Sequence, residues 1–283
     1  MKKKQGPQTL GGTQFWRDRL VVDDHRIQQH VRFGRVRVLD PYDRRLHTGT
    51  TYSAALAAFT KAVGTSHQRG DHLVVLLHGY GGKATPRMVP LRDAVRAAGF
   101  VAEVVQYPSF FRTVDELASS ITDLVAASAA HHRGIKQVSL VAFSLGGLVA
   151  SAVMAKLALR KGTPRLGRLV TVGTPHLGSR IANFTKWLTF IGGPNITELV
   201  VRDRRELAVL QVPLGVVAGR GFINGWVLLG LLGDGDGVVE LESALGVGAA
   251  DSLMVNGVKH TRLPAHSEVV EGVVRFLKTG QFK

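Results

Sequence analysis

From residue 72 onward, short continuous apolar runs alternate with longer stretches whose apolar positions recur at helical spacing. Runs of this length are typical of strands that are buried on both faces of a parallel sheet. The pattern predicts strands at 73–77, 101–105, 137–142, 169–172, 214–218 and 252–255, and helices at 90–98, 114–133, 148–159 and 268–277. Because strands and helices alternate, we expect an α/β fold with a mainly parallel central sheet and helices on both faces.

Two of these helices carry start signals. Thr113 and Glu116 have the spacing of a capping box, in which a hydroxyl and a carboxylate each accept a hydrogen bond from an otherwise unpaired amide. Pro90 predicts the start of the helix at 90–98, because a proline in the first turn removes an N–H that has no helical partner there. Gly99 and Gly134 mark the ends of these two helices.

The first 70 residues follow a different pattern. Residues 1–13 are basic and then rich in glycine, glutamine and threonine, which predicts a disordered basic tail. Apolar and basic residues alternate within 28–39, and an alanine-rich stretch occupies 52–63; these predict one or two half-exposed strands and a helix. We therefore expect an N-terminal extension at 14–70 that packs on a main domain at 71–283.

The composition excludes several kinds of chemistry. The 283 residues include no cysteine, which rules out disulfides, thiol nucleophiles and cysteine metal sites and is compatible with a reducing cytoplasm. The charged residues 1–4 are followed by a polar segment, not by the apolar core of a signal peptide. No stretch reaches the roughly 18 apolar residues of a membrane span. We therefore expect a cytoplasmic protein.

The formal net charge of +15 is high for a chain of this length. Such a charge attracts anionic lipids and nucleic acids. Because the sequence contains no signature of a nucleic-acid-binding module, we expect no nucleic-acid partner and interpret most basic residues as solvated surface. Weak contact with an anionic membrane surface is the alternative interpretation.

Ser144 lies where the pattern changes most abruptly. The apolar run before it ends at this serine, and Leu145, Gly146 and Gly147 open a helix rich in alanine, leucine and valine. A serine on a turn between a strand and a helix holds its hydroxyl above the sheet, near the first amides of the helix. We therefore predict that Ser144 is a nucleophile. The simpler interpretation is a serine that only caps a helix.

A glycine-rich loop at 78–82, with the sequence His-Gly-Tyr-Gly-Gly, directly follows the first strand of the main domain. A loop in this place can direct a backbone amide towards a developing oxyanion, and the residue after the nucleophile supplies the second donor. We predict an oxyanion hole formed by the amides of Tyr80 and Leu145. We expect His78 to be a buried, hydrogen-bonded residue of the pocket and not the base.

A carboxylate and a histidine follow the serine along the chain. The loop at 233–239 holds Asp234 and Asp236 between glycines, and we predict Asp236 as the acid because Gly-Val-Val follows it. The alternatives are a β-turn with solvated aspartates, or a calcium loop, for which the spaced oxygen ligands are absent. His260, at the end of the last strand, is predicted as the base in preference to His266, at the start of the last helix.

In this order the motifs resemble those of the α/β-hydrolase superfamily, and more closely those of its bacterial lipase and esterase branch. The matching segments, 78–82, 143–147, 173–179, 236–239 and 257–260, span about residues 72–278. The resemblance implies an α/β-hydrolase fold for the main domain and a serine–aspartate–histidine triad. It also implies that His176, in the Gly-Thr-Pro-His-Leu-Gly-Ser segment, is a pocket or structural residue. The chain departs from the family at Ala142, usually a glycine, and at Phe143, often a histidine.

These observations predict a serine ester hydrolase that needs no cofactor and cleaves lipid-like or other apolar carboxylic esters through an acyl-enzyme on Ser144. The apolar segments at 183–191 and 222–232 are candidates for an acyl-binding wall or a small cap, or else for ordinary core. Two alternatives stay open: an acyltransferase or thioesterase with the same triad, and a non-catalytic hydrolase-like protein that binds a lipid or a partner.

Overall fold

The apolar runs after residue 72 form one parallel sheet, and the N-terminal residues form a second, antiparallel sheet. The structure, a computed structural model, describes residues 12–64, 68–81, 84–110, 112–132, 134–178, 212–223 and 233–283. Its strands are β1 (Trp16–Val22), β2 (His25–His30), β3 (Val36–Leu39), β4 (Arg45–Gly49), β5 (His72–Leu77), β6 (Val101–Val105), β7 (Gln137–Phe143), β8 (Arg165–Val172), β9 (Leu214–Arg220) and β10 (Asp251–Asn256). The parallel sheet has the order β10-β9-β8-β7-β5-β6 and the antiparallel sheet the order β1-β2-β3-β4.

Helices cover both faces of the parallel sheet, as the sequence predicts. They are α1 (Tyr52–Val63), α2 (Ala84–Ala97), α3 (Val114–His131), α4 (Leu145–Leu159), α5 (Leu241–Leu245) and α6 (Ser267–Thr279), with 3-10 helices at Gly12–Phe15 and His260–Ala265. The side chains of β5 alternate between two cores: Val75 packs with residues of α3 and α4, whereas Val74 packs with residues of α2 and α6. In the described ranges, no helix has both the length and the apolar character needed to cross a bilayer.

One of the two predicted helix starts is confirmed and the other is wrong. Thr113 and Glu116 form the capping box at the start of α3. However, α2 begins at Ala84, so Pro90 lies inside the helix and not at its start. A proline inside a helix loses one hydrogen bond. Met88 and Leu91, on either side of it, are fully buried in the core, and this packing holds the helix continuous through the proline.

The N-terminal sheet has its own small core beneath α1. Leu20 and Ile27 of the sheet pack with Phe59 of the helix. The strands expected within 28–39 are β2 and β3, separated by a turn at 31–35, whereas β1 and β4 were not predicted because polar side chains interrupt their apolar pattern. Gly12 and Thr13, expected in the disordered tail, form part of a 3-10 helix, and residues 1–11 lie outside the described residues.

The N-terminal sheet attaches to β6, the edge strand of the parallel sheet. The amide of Asp18 donates to the carbonyl of Gln106 (3.0 Å), and the amide of Gln106 donates to the Asp18 carboxylate (2.7 Å). Directly after β1, the amide of Asp23 donates to Glu103 (2.7 Å). Strand β1 therefore runs antiparallel to β6, and Trp16 at its start lies towards the carboxyl end of β6. In sheets of this kind, ligands bind at the carboxyl ends of the strands.

Candidate active site

Ser144 lies on a strained turn between β7 and α4. Its backbone angles, φ 55° and ψ −128°, fall where residues with side chains rarely occur. Three hydrogen bonds hold this conformation: the Ser144 amide donates to Val172 (2.9 Å), and its carbonyl accepts from the amide of Gly147 (2.9 Å) and the hydroxyl of Thr174 (3.0 Å). The serine side chain is thus fixed at the carboxyl end of the central strand.

Small residues around this turn let the helix start against the neighbouring loop. A Cβ added at Gly146 would lie 2.5 Å from the carbonyl oxygen of His78, and one at Gly147 would lie 2.0 Å from the Thr174 hydroxyl. Ala142, where the family usually has glycine, is fully buried and packs in the same core as Val149 of α4. One methyl group therefore fits between strand and helix at that position.

The structure brings Ser144, His260 and Asp236 into one hydrogen-bonded line. The His260 Nε2 lies 3.1 Å from the Ser144 hydroxyl, and its Nδ1 lies 2.6 Å from Asp236 Oδ2. The three residues follow β7, β10 and β9, whose carboxyl ends share one edge of the sheet. Asp236 is 1% exposed and His260 is 5% exposed, so their contact is buried, whereas the contact of His260 with Ser144 is partly buried. Their catalytic roles stay predictions.

The two aspartates of the loop at 233–239 have different surroundings. Asp236 Oδ1 accepts hydrogen bonds from the amides of Val238 (3.0 Å) and Val239 (2.8 Å), which leaves Oδ2 for His260. Asp234 instead accepts from the amide of Gly221 (2.6 Å), and half of its side chain is exposed. The solvated turn that we considered as an alternative therefore describes Asp234 and not Asp236.

The face of the His260 ring packs against Phe143. The ring centroids are 4.8 Å apart with an angle of 37° between the planes, and Phe143 is buried. Position 143, which in the resembling family often carries histidine, thus holds an aromatic ring against His260 in this chain. His266, the alternative base, lies at the N-cap of α6, where its amide donates to Leu263 (3.2 Å).

Both candidate oxyanion donors lie next to the serine. Leu145 is the first residue of α4, so its amide has no acceptor within the helix, and it lies at the positive end of the helix dipole. Gly79, the residue before Tyr80, is so close that an added Cβ would lie 2.9 Å from the Ser144 Cβ. The glycine-rich loop and the start of α4 therefore both lie close to Ser144.

His78 and His176 are buried separately from the triad. Burial lowers the pKa of each to about 4, so both rings are neutral near pH 7. His78 Nδ1 donates to the carbonyl of Gly79 (2.7 Å), and its ring stacks on Tyr107, whose hydroxyl donates to the His78 carbonyl. His176 Nε2 bonds the hydroxyl of Thr171 (3.0 Å). Within the described residues, neither histidine hydrogen-bonds a triad residue, and their place in a substrate pocket stays a prediction.

The segment after β6 supports the glycine-rich loop, and we did not predict this from the sequence. The Ser109 hydroxyl accepts from the amide of Gly81 (2.9 Å), and the Phe110 ring packs edge-on against Tyr80, with centroids 4.8 Å apart. The amide of Phe110 in turn donates to the side-chain oxygen of Gln14 (3.2 Å). Because this segment follows the carboxyl end of a strand, its position in the sequence could have indicated Ser109 and Phe110 as residues near the site. No sequence signal marks Gln14.

The candidate acyl-binding segments are mostly outside the described residues. This applies to all of 183–191 and to 224–232. Phe222 and Ile223, at the start of the second segment, are described; the amide of Phe222 donates to Gly235 (3.1 Å), and 69% of Ile223 is exposed.

A group of metal-binding side-chain types lies away from the triad, beside β6. The ligand atoms of Asp23, Glu103 and His132 all lie within 4.8 Å of one another. Glu103, however, already accepts from the amide of Asp23 and from Gln68 (2.9 Å), and the Arg96 guanidinium lies 3.4 Å from its second oxygen. The group therefore acts as a polar network that joins the hairpin of β1 and β2 to β6.

Comparisons with known proteins bear on the fold of the chain. The sequence matches the family described as "Putative serine esterase (DUF676)" over residues 67–191, a segment that includes Ser144 but not Asp236 or His260. No curated protein matches the sequence. Among solved structures, the fold is similar to that of a mature lipase from Bacillus licheniformis, with 19% identity, a TM-score of 0.55, and coverage of 71% of this chain and 89% of that chain.

A second similar structure is an esterase from Pyrococcus furiosus, with 14% identity and a TM-score of 0.54. The alignment covers 97% of this chain and 94% of that chain, so it includes the N-terminal sheet as well as the parallel sheet. The strand order, the helices on both faces and these similarities lead to one assignment. The chain has an α/β-hydrolase fold.

Proposed function

We propose that the chain is a serine ester hydrolase that cleaves carboxylic esters with apolar, lipid-like acyl groups. The observation that carries this proposal is the hydrogen-bonded line from Ser144 through His260 to Asp236, with distances of 3.1 Å and 2.6 Å. A serine hydroxyl is a weak nucleophile by itself, and an adjacent base with a carboxylate behind it is the arrangement that activates it.

Acylation begins when the Ser144 oxygen attacks the ester carbonyl carbon. His260 Nε2 takes the hydroxyl proton during the attack and then gives it to the oxygen of the leaving alcohol. Because His260 Nδ1 donates to Asp236, the lone pair of Nε2 faces the serine. The negative carboxylate of Asp236 also stabilises the imidazolium that forms. The amides of Val238 and Val239 hold this carboxylate in place.

The amides of Tyr80 and Leu145 donate hydrogen bonds to the carbonyl oxygen as it becomes negative. The dipole of α4 adds to this stabilisation, because Leu145 is the first residue of that helix. Donors that are fixed before the reaction stabilise the transition state without reorganising.

Deacylation repeats the same proton transfers with water. His260 takes a proton from a water molecule as the water oxygen attacks the acyl-serine carbonyl, and the proton then passes to Ser144 as the carboxylic acid leaves. Protein groups supply every proton transfer in this sequence, so we propose that no cofactor takes part.

The uncharged side chains near the triad support an apolar acyl group. Phe143 packs on His260, Phe110 packs on Tyr80, and burial raises the pKa of Tyr80 to about 12, so its phenol stays neutral. Aromatic walls with few polar groups are typical of sites that bind apolar ligands. The similar folds carry the names lipase and esterase, which agrees with this class of substrate.

A fluorophosphonate probe tests the nucleophile directly, because it reacts with activated serines. We expect the wild-type protein to be labelled and Ser144→Ala to remain unlabelled, with intact-mass measurement showing one adduct per chain. If the wild type is not labelled while it remains folded, the protein is a non-catalytic hydrolase-like binder and the proposal is wrong.

A series of p-nitrophenyl esters with increasing acyl length tests the substrate class. We expect kcat/KM to rise from acetate towards medium and long acyl chains, because each buried methylene contributes about 0.8 kcal/mol. Matched thioesters, and reactions with an added alcohol acceptor, distinguish hydrolysis from thioester cleavage and acyl transfer. A preference for acetate, or for the thioester of the same acyl chain, would contradict the proposed substrate.

A further inference from the structure

The turn between β2 and β3 forms an exposed tip that is both basic and aromatic. Arg32, Phe33, Gly34 and Arg35 are all exposed, and 69% of the Phe33 surface is accessible, an unusually high value for a phenylalanine. Gly34, with φ 67°, provides the left-handed residue that closes the turn. We call residues 32–35 the basic tip.

The positive charge of the basic tip is not neutralised nearby. Within the described residues, neither Arg32 nor Arg35 lies within 4.0 Å of an acidic side chain. The His30 ring packs against Phe33, with ring centroids 4.9 Å apart and an angle of 31° between the planes. Slight burial and then the positive charges of Arg35, Arg37 and Arg32 lower the pKa of His30.

The basic tip lies on the same side of the molecule as the candidate active site. Trp16 pairs with His30 at the end of the N-terminal sheet that lies towards the carboxyl end of β6. At this end, Gln14 accepts a hydrogen bond from Phe110, and the Phe110 ring contacts Tyr80 of the candidate oxyanion loop. A surface that bound the basic tip would therefore lie on the side of the molecule that carries the candidate oxyanion loop.

We propose that the basic tip binds the anionic surface of a lipid aggregate and holds the entrance of the active site against it. This proposal rests on the proposed ester hydrolase function and adds that the enzyme binds its apolar substrate at the surface of a lipid aggregate. Arginines are attracted to anionic headgroups, and an aromatic ring at the tip of a turn can enter the interface between headgroups and acyl chains. The net charge of +15 attracts the whole chain to the same surface.

Vesicle co-sedimentation at low salt tests this surface. The protein is mixed with vesicles of phosphatidylcholine alone, or of phosphatidylcholine with an equal part of phosphatidylglycerol. We expect preferential binding to the anionic vesicles that weakens as salt is added. Arg32→Gln with Arg35→Gln is expected to weaken binding about 30-fold, since each cation near an anionic surface contributes about 1 kcal/mol. Phe33→Ser is expected to weaken it about tenfold.

Matched controls carry the same changes elsewhere on the surface. Leu159, which is 87% exposed, is the last residue of α4 and lies at the end of that helix opposite to Ser144. Arg45, at the far end of the N-terminal sheet, and Lys161 are also exposed. Leu159→Ser, and Arg45→Gln with Lys161→Gln, are expected to bind anionic vesicles within about twofold of the wild type.

The outcomes separate this inference from the proposed function. Binding is measured in the Ser144→Ala background, so it does not depend on hydrolysis. Activity is measured in chains that keep Ser144. There, the tip variants should hydrolyse a short soluble ester at the wild-type rate but should hydrolyse an ester presented in anionic vesicles more slowly.

Equal binding by tip variants and controls would overturn the docking surface, as would equal binding to both kinds of vesicle. Tighter binding to a DNA duplex at the same salt, lost in the arginine variant, would identify nucleic acid as the partner instead and would equally overturn it. In each case the fluorophosphonate labelling of Ser144 is a separate result, and it still tests the proposed hydrolase function independently.

Discussion

The two aspartates of the loop at 233–239 allow a matched test of the triad at the scale of single residues. In Asp236→Asn, the amide cannot accept from His260 Nδ1 as the carboxylate does, so the imidazole is held in the wrong tautomer. We expect kcat to fall by about 10⁴-fold on a soluble p-nitrophenyl ester. Asp234→Asn is expected to change kcat by less than about threefold, because that half-exposed side chain accepts from the amide of Gly221 and lies 4.0 Å from Arg220, and it does not contact His260.

Equal losses in the two variants, with both proteins folded by circular dichroism, would show that Asp236 is not the acid. Loss in the Asp234 variant alone would move the role to that residue. The two changes are chemically identical and lie on either side of Gly235 in the same loop, so general damage to the loop would affect both.

Single residues with a local chemical requirement were predictable from the sequence. The strained turn at Ser144 needs small residues after it, and Gly146 and Gly147 are the visible sign of that requirement. Chain order then indicated where an acid and a base should lie. Thr174, which bonds the Ser144 carbonyl, was not predicted in that role, because a contact over 30 positions leaves no local pattern.

At the scale of elements, the N-terminal extension reaches the candidate oxyanion loop through Gln14. This side chain is 4% exposed and accepts from the amide of Phe110, whose ring packs on Tyr80. We expect Gln14→Ala to let the loop shift, so that the Tyr80 amide meets the oxyanion less well. The expected result is a kcat about three- to tenfold lower with KM unchanged.

The conservative variant makes this prediction specific to positioning. Gln14→Glu keeps an oxygen that can accept from the Phe110 amide, so it should retain most of the wild-type kcat. A rise in KM with unchanged kcat, or equal loss in both variants, would assign Gln14 a role in substrate binding or in general stability and not in the oxyanion loop.

Elements were predictable where burial alone decides them. Strand β5 is apolar throughout because cores cover both of its faces. Strand β1 was missed because Asp18 interrupts its apolar pattern; in the fold this carboxylate is buried and pairs with Arg26 (2.8 Å). The start of α2 was placed too late because the packing of Met88 and Leu91, which a sequence pattern does not reveal, outweighs the proline.

At the scale of the whole molecule, the buried histidines make the stability depend on pH. Burial lowers the pKa of His78 and of His176 to about 4 in the folded chain, whereas a solvated histidine in the unfolded chain has a pKa near 6.5. Between these values the unfolded chain binds protons that the folded chain does not. The free energy of unfolding therefore has its full value above about pH 6.5 and falls as the pH is lowered towards 4.

Each ring accounts for up to about 3 kcal/mol of this loss at the acidic end. Urea unfolding at a series of pH values between about 7 and 5, where most carboxylates remain ionised, isolates the histidine contribution. His176→Gln keeps a polar partner for Thr171 but cannot titrate, so its unfolding free energy should fall less steeply over this range than that of the wild type. Identical slopes would mean that His176 is protonated as readily in the folded chain as in the unfolded one, and that its burial in the fold does not keep it neutral.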